Sequence, residues 1–147
     1  MDRGQKGSKL HVLSEAPGIP LAVAVSGVNT HDSLALKPLI RGIPAVRSRG
    51  GPRRRQPVKL RADKAYFFAE HLTWLRERGL VPRIARPGTE PSERLGRYRW
   101  KTERSITWLF GYRRPTVRYE GKRSRFLAFL GLAATLTCYK KLAKLTT

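Results

Sequence analysis

Acidic residues are scarce in this chain: ten Asp and Glu stand against 31 Lys and Arg in 147 residues, and only Asp2, Asp32 and Asp63 are aspartates. The resulting formal net charge of +21 and pI near 11.4 would make a compact domain repel itself, which points to a polyanionic partner. Because the positive charge runs along the whole chain rather than along one helix, nucleic acid fits better than an anionic membrane surface. There is one cysteine, Cys138, which excludes an internal disulfide framework and any multi-cysteine zinc site. In "LAATLTCYKKL" it reads as a small apolar core residue. The start, "MDRGQKGSKL", is polar and basic, so no secretory signal is expected. The longest apolar run, "FLAFLGLAATLTCY" (Phe126–Tyr139), is shorter than a bilayer-spanning helix and carries polar interruptions. A cytoplasmic, nucleoid-associated protein is therefore expected. His11, His31 and His71 lack metal-ligand spacing, "RGGPRRR" is not a phosphate-cradling P-loop, and no Ser/His/Asp or Cys/His set is legible.

What is present is an alternating order of elements. The hydrophobic fraction of 40% suits one packed domain. "SKLHVLSEA", "PGIP" and "LAVAVSGVN" read as two strands joined by a Pro/Gly turn, the second (Leu21–Val25) apolar enough for the interior of a sheet. A short helix capped by Asp32 or Ser33 follows, burying Leu36, Leu39 and Ile40. The segment about 43–57, "IPAVRSRGGPRRRQP", keeps neither period and is expected to be a mobile basic loop, with Arg47, Arg49, Arg53, Arg54 and Arg55 facing phosphates. "VKLRAD" alternates as a strand with Val58, Leu60 and Ala62 on one face. A helix with Phe68, Leu72 and Leu75 on one side ends at Gly79, and "VPRIARP" is a short strand. The polar connection "GTEPSERLGR" leads to helices through "YRWKTERSITWLFGYRR", a bend at Pro115 and "RSRFLAFLGLAATLTCYKKLAKL". The expected fold is a mixed α/β domain with one sheet and helices packed on its faces. Two antiparallel strands ahead of strand–helix alternation match the middle of a ribonuclease-H-like sheet lacking its first strand.

With so few carboxylates the candidates for chemistry are few. Hydrolysis or transfer of a phosphodiester through Mg²⁺ needs two or three carboxylates converging on one point. Asp63 closes a strand on the side opposite Leu60 and Ala62 just before a helix, the place where ligands collect in α/β sheets. The competing reading is a carboxylate paired with Arg61 or Lys64, or a helix N-cap. Glu103 shares a helical face with Ile106, Thr107 and Phe110, and Arg99 one turn earlier is its available partner. Trp74, Trp100 and Trp108 suit nucleic-acid contact alongside the arginine-rich loop, but read first as core residues.

In order, "DRGQKGSKLHVL", "GIPLAVAVSGVNTHDS", "LRADKAY" and "RYRWKTERSITWLFGYRRPTVRYE" resemble successive blocks of bacterial insertion-sequence transposases of the DDE type, in the insertion-sequence-five-like branch. The resemblance runs from Asp2 to about Leu142. It implies a ribonuclease-H-like catalytic domain holding two Mg²⁺ (or Mn²⁺) ions through two aspartates and a glutamate, and cutting and joining DNA at element ends as an oligomer. Mapped by motif, Asp63 is the second aspartate and Glu103 the glutamate, with Arg99 the arginine before it. Lys64, Arg99, Arg104, Arg113 and Arg114 join the basic loop as expected DNA contacts. The position seven residues after Glu103, basic in the family, is Phe110 here. The family's first aspartate belongs upstream of the block that opens at Asp2. The expectation is thus an N-terminally incomplete catalytic domain: a decayed copy, or the second half of an element whose upstream-frame product completes it. The alternative is a non-catalytic basic DNA-binding protein.

Overall fold

Apolar alternation around a tight turn builds the first unit, an antiparallel hairpin of β1 (Ser8–Ser14) and β2 (Pro20–Gly27). Gly18 sits at φ +95°, a conformation that side chains with a Cβ rarely adopt, and the turn is closed by Gly18 N–H donating to Glu15 O at 2.9 Å. The computed structural model describes residues 7–47, 50–54, 56–88, 92–112 and 122–144. After β2 come a 3-10 turn (Asp32–Ala35) and the short helix α1 (Leu36–Arg41). Leu36, Leu39 and Ile40 are buried as expected; the 3-10 turn is capped by His31, whose Nδ1 accepts from Ser33 N–H at 3.2 Å, and α1 itself opens at Ala35 with no side-chain cap, so neither Asp32 nor Ser33 caps it.

The segment expected to be a mobile basic loop carries two short paired stretches. β3 (Val46–Arg47) and β4 (Arg53–Arg54) form a small antiparallel ladder pairing Val46 with Arg54 and Arg47 with Arg53. Between them Gly50 supplies a positive φ of 78°. Extended, arginine-rich backbone of this kind can still pair with itself across a glycine turn.

β5 (Lys59–Ala62), α2 (Ala69–Glu77) and β6 (Val81–Ile84) make a βαβ unit whose strands run parallel, Leu60 opposite Pro82 and Ala62 opposite Ile84. Val58 lies just outside β5 and is exposed, so the buried face of this strand is Leu60 and Ala62 alone. Phe68 is also turned outward, while Leu75 behind it is fully buried. α2 ends at Gly79 (φ +73°), with Leu80 N–H reaching Leu75 O at 3.0 Å, the closing bond of a glycine C-cap.

The last third is helical. α3 (Ser92–Phe110) begins inside the segment expected to be a polar connection, and α4 (Arg123–Ala143) completes the fold. The bend at Pro115 lies outside the described residues. The buried row of α4, Phe126, Leu130, Ala133 and Thr137, follows helical spacing and lies against β2. Cys138 Sγ donates to Pro20 O at 3.1 Å there, and burial pushes its thiol pKa up, as suits a packing residue. At 21 residues α4 is long and apolar enough to cross a membrane by length and composition alone, a property that core helices of soluble proteins share, and its buried row is packed on β2.

The expected single sheet is replaced, among the described residues, by three separate two-stranded pieces, so β2 is not an interior strand. The hairpin and the parallel pair are joined by side chains instead of a backbone ladder. Leu13 of β1 packs on the cluster of Leu36, Ile40, Ile43, Leu60, Leu75, Leu80 and Ile84. Leu75 is the fully closed centre of that cluster. Leu75→Ala should cost about 2–5 kcal/mol, read as a fall in the urea midpoint at unchanged slope.

Candidate active site

Asp63 follows β5 directly, at the carboxyl end of the parallel pair. Its backbone is extended, and its carboxylate accepts from Lys64 N–H at 2.6 Å, capping a 3-10 turn (Lys64–Tyr66). Both Asp63 and Lys64 are exposed. The capping role weighed for Asp63 is therefore real, and it occupies one carboxylate oxygen with a backbone donor while leaving the group open to solvent.

That turn is tied to the hairpin. Tyr66 N–H donates to Asp63 O at 3.0 Å, and the Tyr66 hydroxyl lies 3.0 Å from His11 Nδ1. On its other side His11 Nε2 lies 2.8 Å from Ser26 Oγ. Burial first, then the negative charges of Asp32 and Asp63, push the Tyr66 phenol up to about 12. Asp32 is itself held by Lys9 at 2.8 Å. Burial holds His11 below its ordinary 6.5, with Asp32 opposing and Lys9 assisting.

A histidine with a lowered folded pKa binds fewer protons than the unfolded chain, so stability rises with pH there. Its contribution is fully present above about 6.5, the unfolded value, and is lost as pH falls from there toward the lower folded value. Chemical denaturation at a series of pH values should show this acid-side loss, and His11→Gln should flatten it.

Glu103 stands on α3. The expectation that it shares an apolar face is corrected: the buried row of α3 is Ser105 and Leu109, while Glu103, Thr107 and Phe110 face outward. Arg99 Nε meets Glu103 Oε1 at 3.1 Å, the predicted pair, with both side chains well exposed. Exposed pairs of this kind contribute little stability. The single Ser105 hydroxyl proton is shared between Gly18 O and Lys101 O, both within hydrogen-bonding distance, anchoring α3 on the hairpin turn. A Cβ on Gly18 would stand 3.1 Å from Lys101 O, so this close approach also needs glycine.

Of the basic candidates, Arg53, Lys64, Arg99 and Arg104 are exposed. Arg47 and Arg54 are described in backbone only, and Arg49, Arg55, Arg113 and Arg114 lie outside the described residues.

The family model for the "Transposase DDE domain" matches residues 1–138. The chain is also 39% identical over 143 residues to a protein of Burkholderia cepacia assigned as the transposase for insertion sequence element IS402, covering 97% of this chain and 68% of that protein. No solved structure matches it. The chain belongs to the DDE transposases of insertion sequences.

For a DDE transposase the question is whether the residues fit a hard divalent cation. Asp63 and Glu103 offer solvent-open carboxylate oxygens, the donor type that Mg²⁺ prefers. Among the described residues, however, no group of three or more His, Cys, Asp or Glu side chains gathers to hold a metal ion. The fit is one of donor chemistry, with the set incomplete in the described part of the domain.

Two features of the DDE domain escaped the sequence. The His11–Tyr66 link joins residues 55 apart and had no local signal. The row Trp100, Arg104 and Trp108 does have one, its spacing of four, but the sequence favours the core over nucleic-acid contact for these tryptophans. Trp100 is in fact 44% exposed.

Proposed function

We propose that this chain supplies part of the catalytic domain of an insertion-sequence transposase that cleaves and joins DNA with divalent metal, Asp63 and Glu103 being two of its metal carboxylates. The observation that carries the reading is the place of Asp63 in a DDE-family chain: an open carboxylate at the carboxyl end of a parallel strand pair, where α/β sheets collect ligands. An antiparallel hairpin followed by a parallel βαβ unit supports a ribonuclease-H-like arrangement. Bound there, the cations would activate the attacking oxygen and neutralise charge on the leaving one.

The chain's own residues supply the rest. The turn capped by Asp63 and pinned through Tyr66 to His11 fixes the carboxylate's position. Arg99 balances Glu103 until a cation competes for it. Arg53, Lys64, Arg99 and Arg104, with the arginines of 47–55 and 113–114, face the phosphates, and the protein works on DNA in the cytoplasm as an oligomer. A further carboxylate is required to complete the set.

The test is Mg²⁺- or Mn²⁺-dependent nicking of element-end DNA by the chain supplemented with the upstream-frame product that carries the further carboxylate, together with Mn²⁺ binding by the chain alone, each repeated with Asp63→Ala and Glu103→Ala. Both signals should vanish in the variants. Nicking that survives both substitutions would overturn the metal assignment. Mn²⁺-independent DNA binding with no metal uptake would favour the non-catalytic binding protein.

A further inference from the structure

Trp100, Arg104 and Trp108 succeed one another at every fourth position of α3, one residue off the buried row of Ser105 and Leu109. The Arg104 guanidinium carbon lies 4.3 Å from the Trp100 ring centre and 5.9 Å from that of Trp108. From α4, Lys141 Nζ lies 3.9 Å from the Trp108 ring centre. Two helices thus contribute to one row in which flat rings alternate with cations. Glu103 beside it is already matched by Arg99.

Cations over a ring also serve structure alone, and Trp74 is the example within this molecule. Arg78 lies 4.0 Å from its ring centre, but Trp74 packs on the Leu60–Leu75 cluster. Trp100 is not among the side chains packed on that cluster and is 44% exposed on a surface dense with positive charge. An open indole flanked by fixed cations is the arrangement that holds a nucleotide: the ring takes the face of the base and the cations take its phosphates. A duplex keeps its base faces in its own stack, so only unpaired nucleotides can use the ring.

We propose that the Trp100–Arg104–Trp108 row, with Lys141, is a stacking site for unpaired bases of single-stranded DNA beside Glu103. The site deepens the transposase reading: it rests on DNA being the polyanion and is independent of Asp63 and Glu103 being metal carboxylates.

The experiment compares binding of the whole chain to a short oligothymidylate and to a duplex of equal length at one salt concentration. Trp100→Ala should weaken oligothymidylate binding about tenfold, within the range of one lost base stack, and change duplex binding less than about twofold. Trp100→Phe, which keeps a ring, should recover most of the loss. Arg104→Gln should weaken oligothymidylate binding more than duplex binding without touching the indole. In a Trp74→Phe, Trp108→Phe background, oligothymidylate should quench the fluorescence of Trp100.

Equal losses on single strand and duplex would overturn the proposal, and so would unquenched Trp100 fluorescence. If Trp100→Ala binds oligothymidylate normally while Asp63→Ala still abolishes nicking, the stacking site falls and the transposase reading stands. If the unmodified chain binds neither DNA form, both fall. Should Trp100→Ala fail to fold by circular dichroism, the Arg104→Gln and quenching measurements decide.

Discussion

Asp63→Ala and Glu103→Ala should each reduce metal-dependent DNA nicking by at least about two orders of magnitude, since each removes one arm of the clamp that holds the cations. The two substitutions should not add, because a metal set that lacks one carboxylate is already open. Their structural cost should differ. Asp63 caps a 3-10 turn through Lys64 N–H, so Asp63→Ala should also lose about 1 kcal/mol of stability. Asp63→Asn keeps a capping oxygen but removes the charge, which separates the two effects: it should restore stability and leave nicking absent. Glu103→Gln gives up only an exposed pair with Arg99, and its stability should stay within about 0.5 kcal/mol. A Glu103→Gln variant that nicked DNA at the unmodified rate would remove Glu103 from the proposed metal set.

DNA affinity should collapse with salt. Lys and Arg outnumber Asp and Glu by 31 to 10, and exposed cations lie on the β3–β4 ladder, after β5 and along α3. If this surface neutralises about 6–10 phosphates, affinity should fall roughly 10³- to 10⁵-fold between about 50 and 200 mM salt. The slope of log affinity against log salt, measured by fluorescence anisotropy, gives the number of phosphates directly. Removing Arg53 should lower that slope by about one, with little change in sequence preference. A flat slope would mean that the charge serves something other than a nucleic-acid backbone.

Much of the architecture was legible because it is local. The turn at Gly18, the buried row Leu36, Leu39 and Ile40, the strand ending at Asp63, the stop at Gly79 and the two closing helices all follow from spacing and turn chemistry within a few residues. The Arg99–Glu103 pair was legible for the same reason, being one helical turn long. The family, too, was written in four short blocks in order, and the match over residues 1–138 bears it out.

What the sequence by itself determined, then, was the order and kind of the main elements, the excess of positive charge and the two carboxylates worth testing. The tertiary structure decided what depends on distant residues meeting. Among the described residues it divided the expected sheet into separate strand pairs, since pairing between strands depends on edges that local alternation does not specify. It tied the Asp63 turn to β1 through Tyr66 and His11. It also turned Glu103 and Trp100 outward, because the row of α3 that docks on the hairpin, Ser105 and Leu109, is chosen by packing. Helical period says which residues share a face; only the neighbour that arrives from elsewhere in the chain says which face is inside.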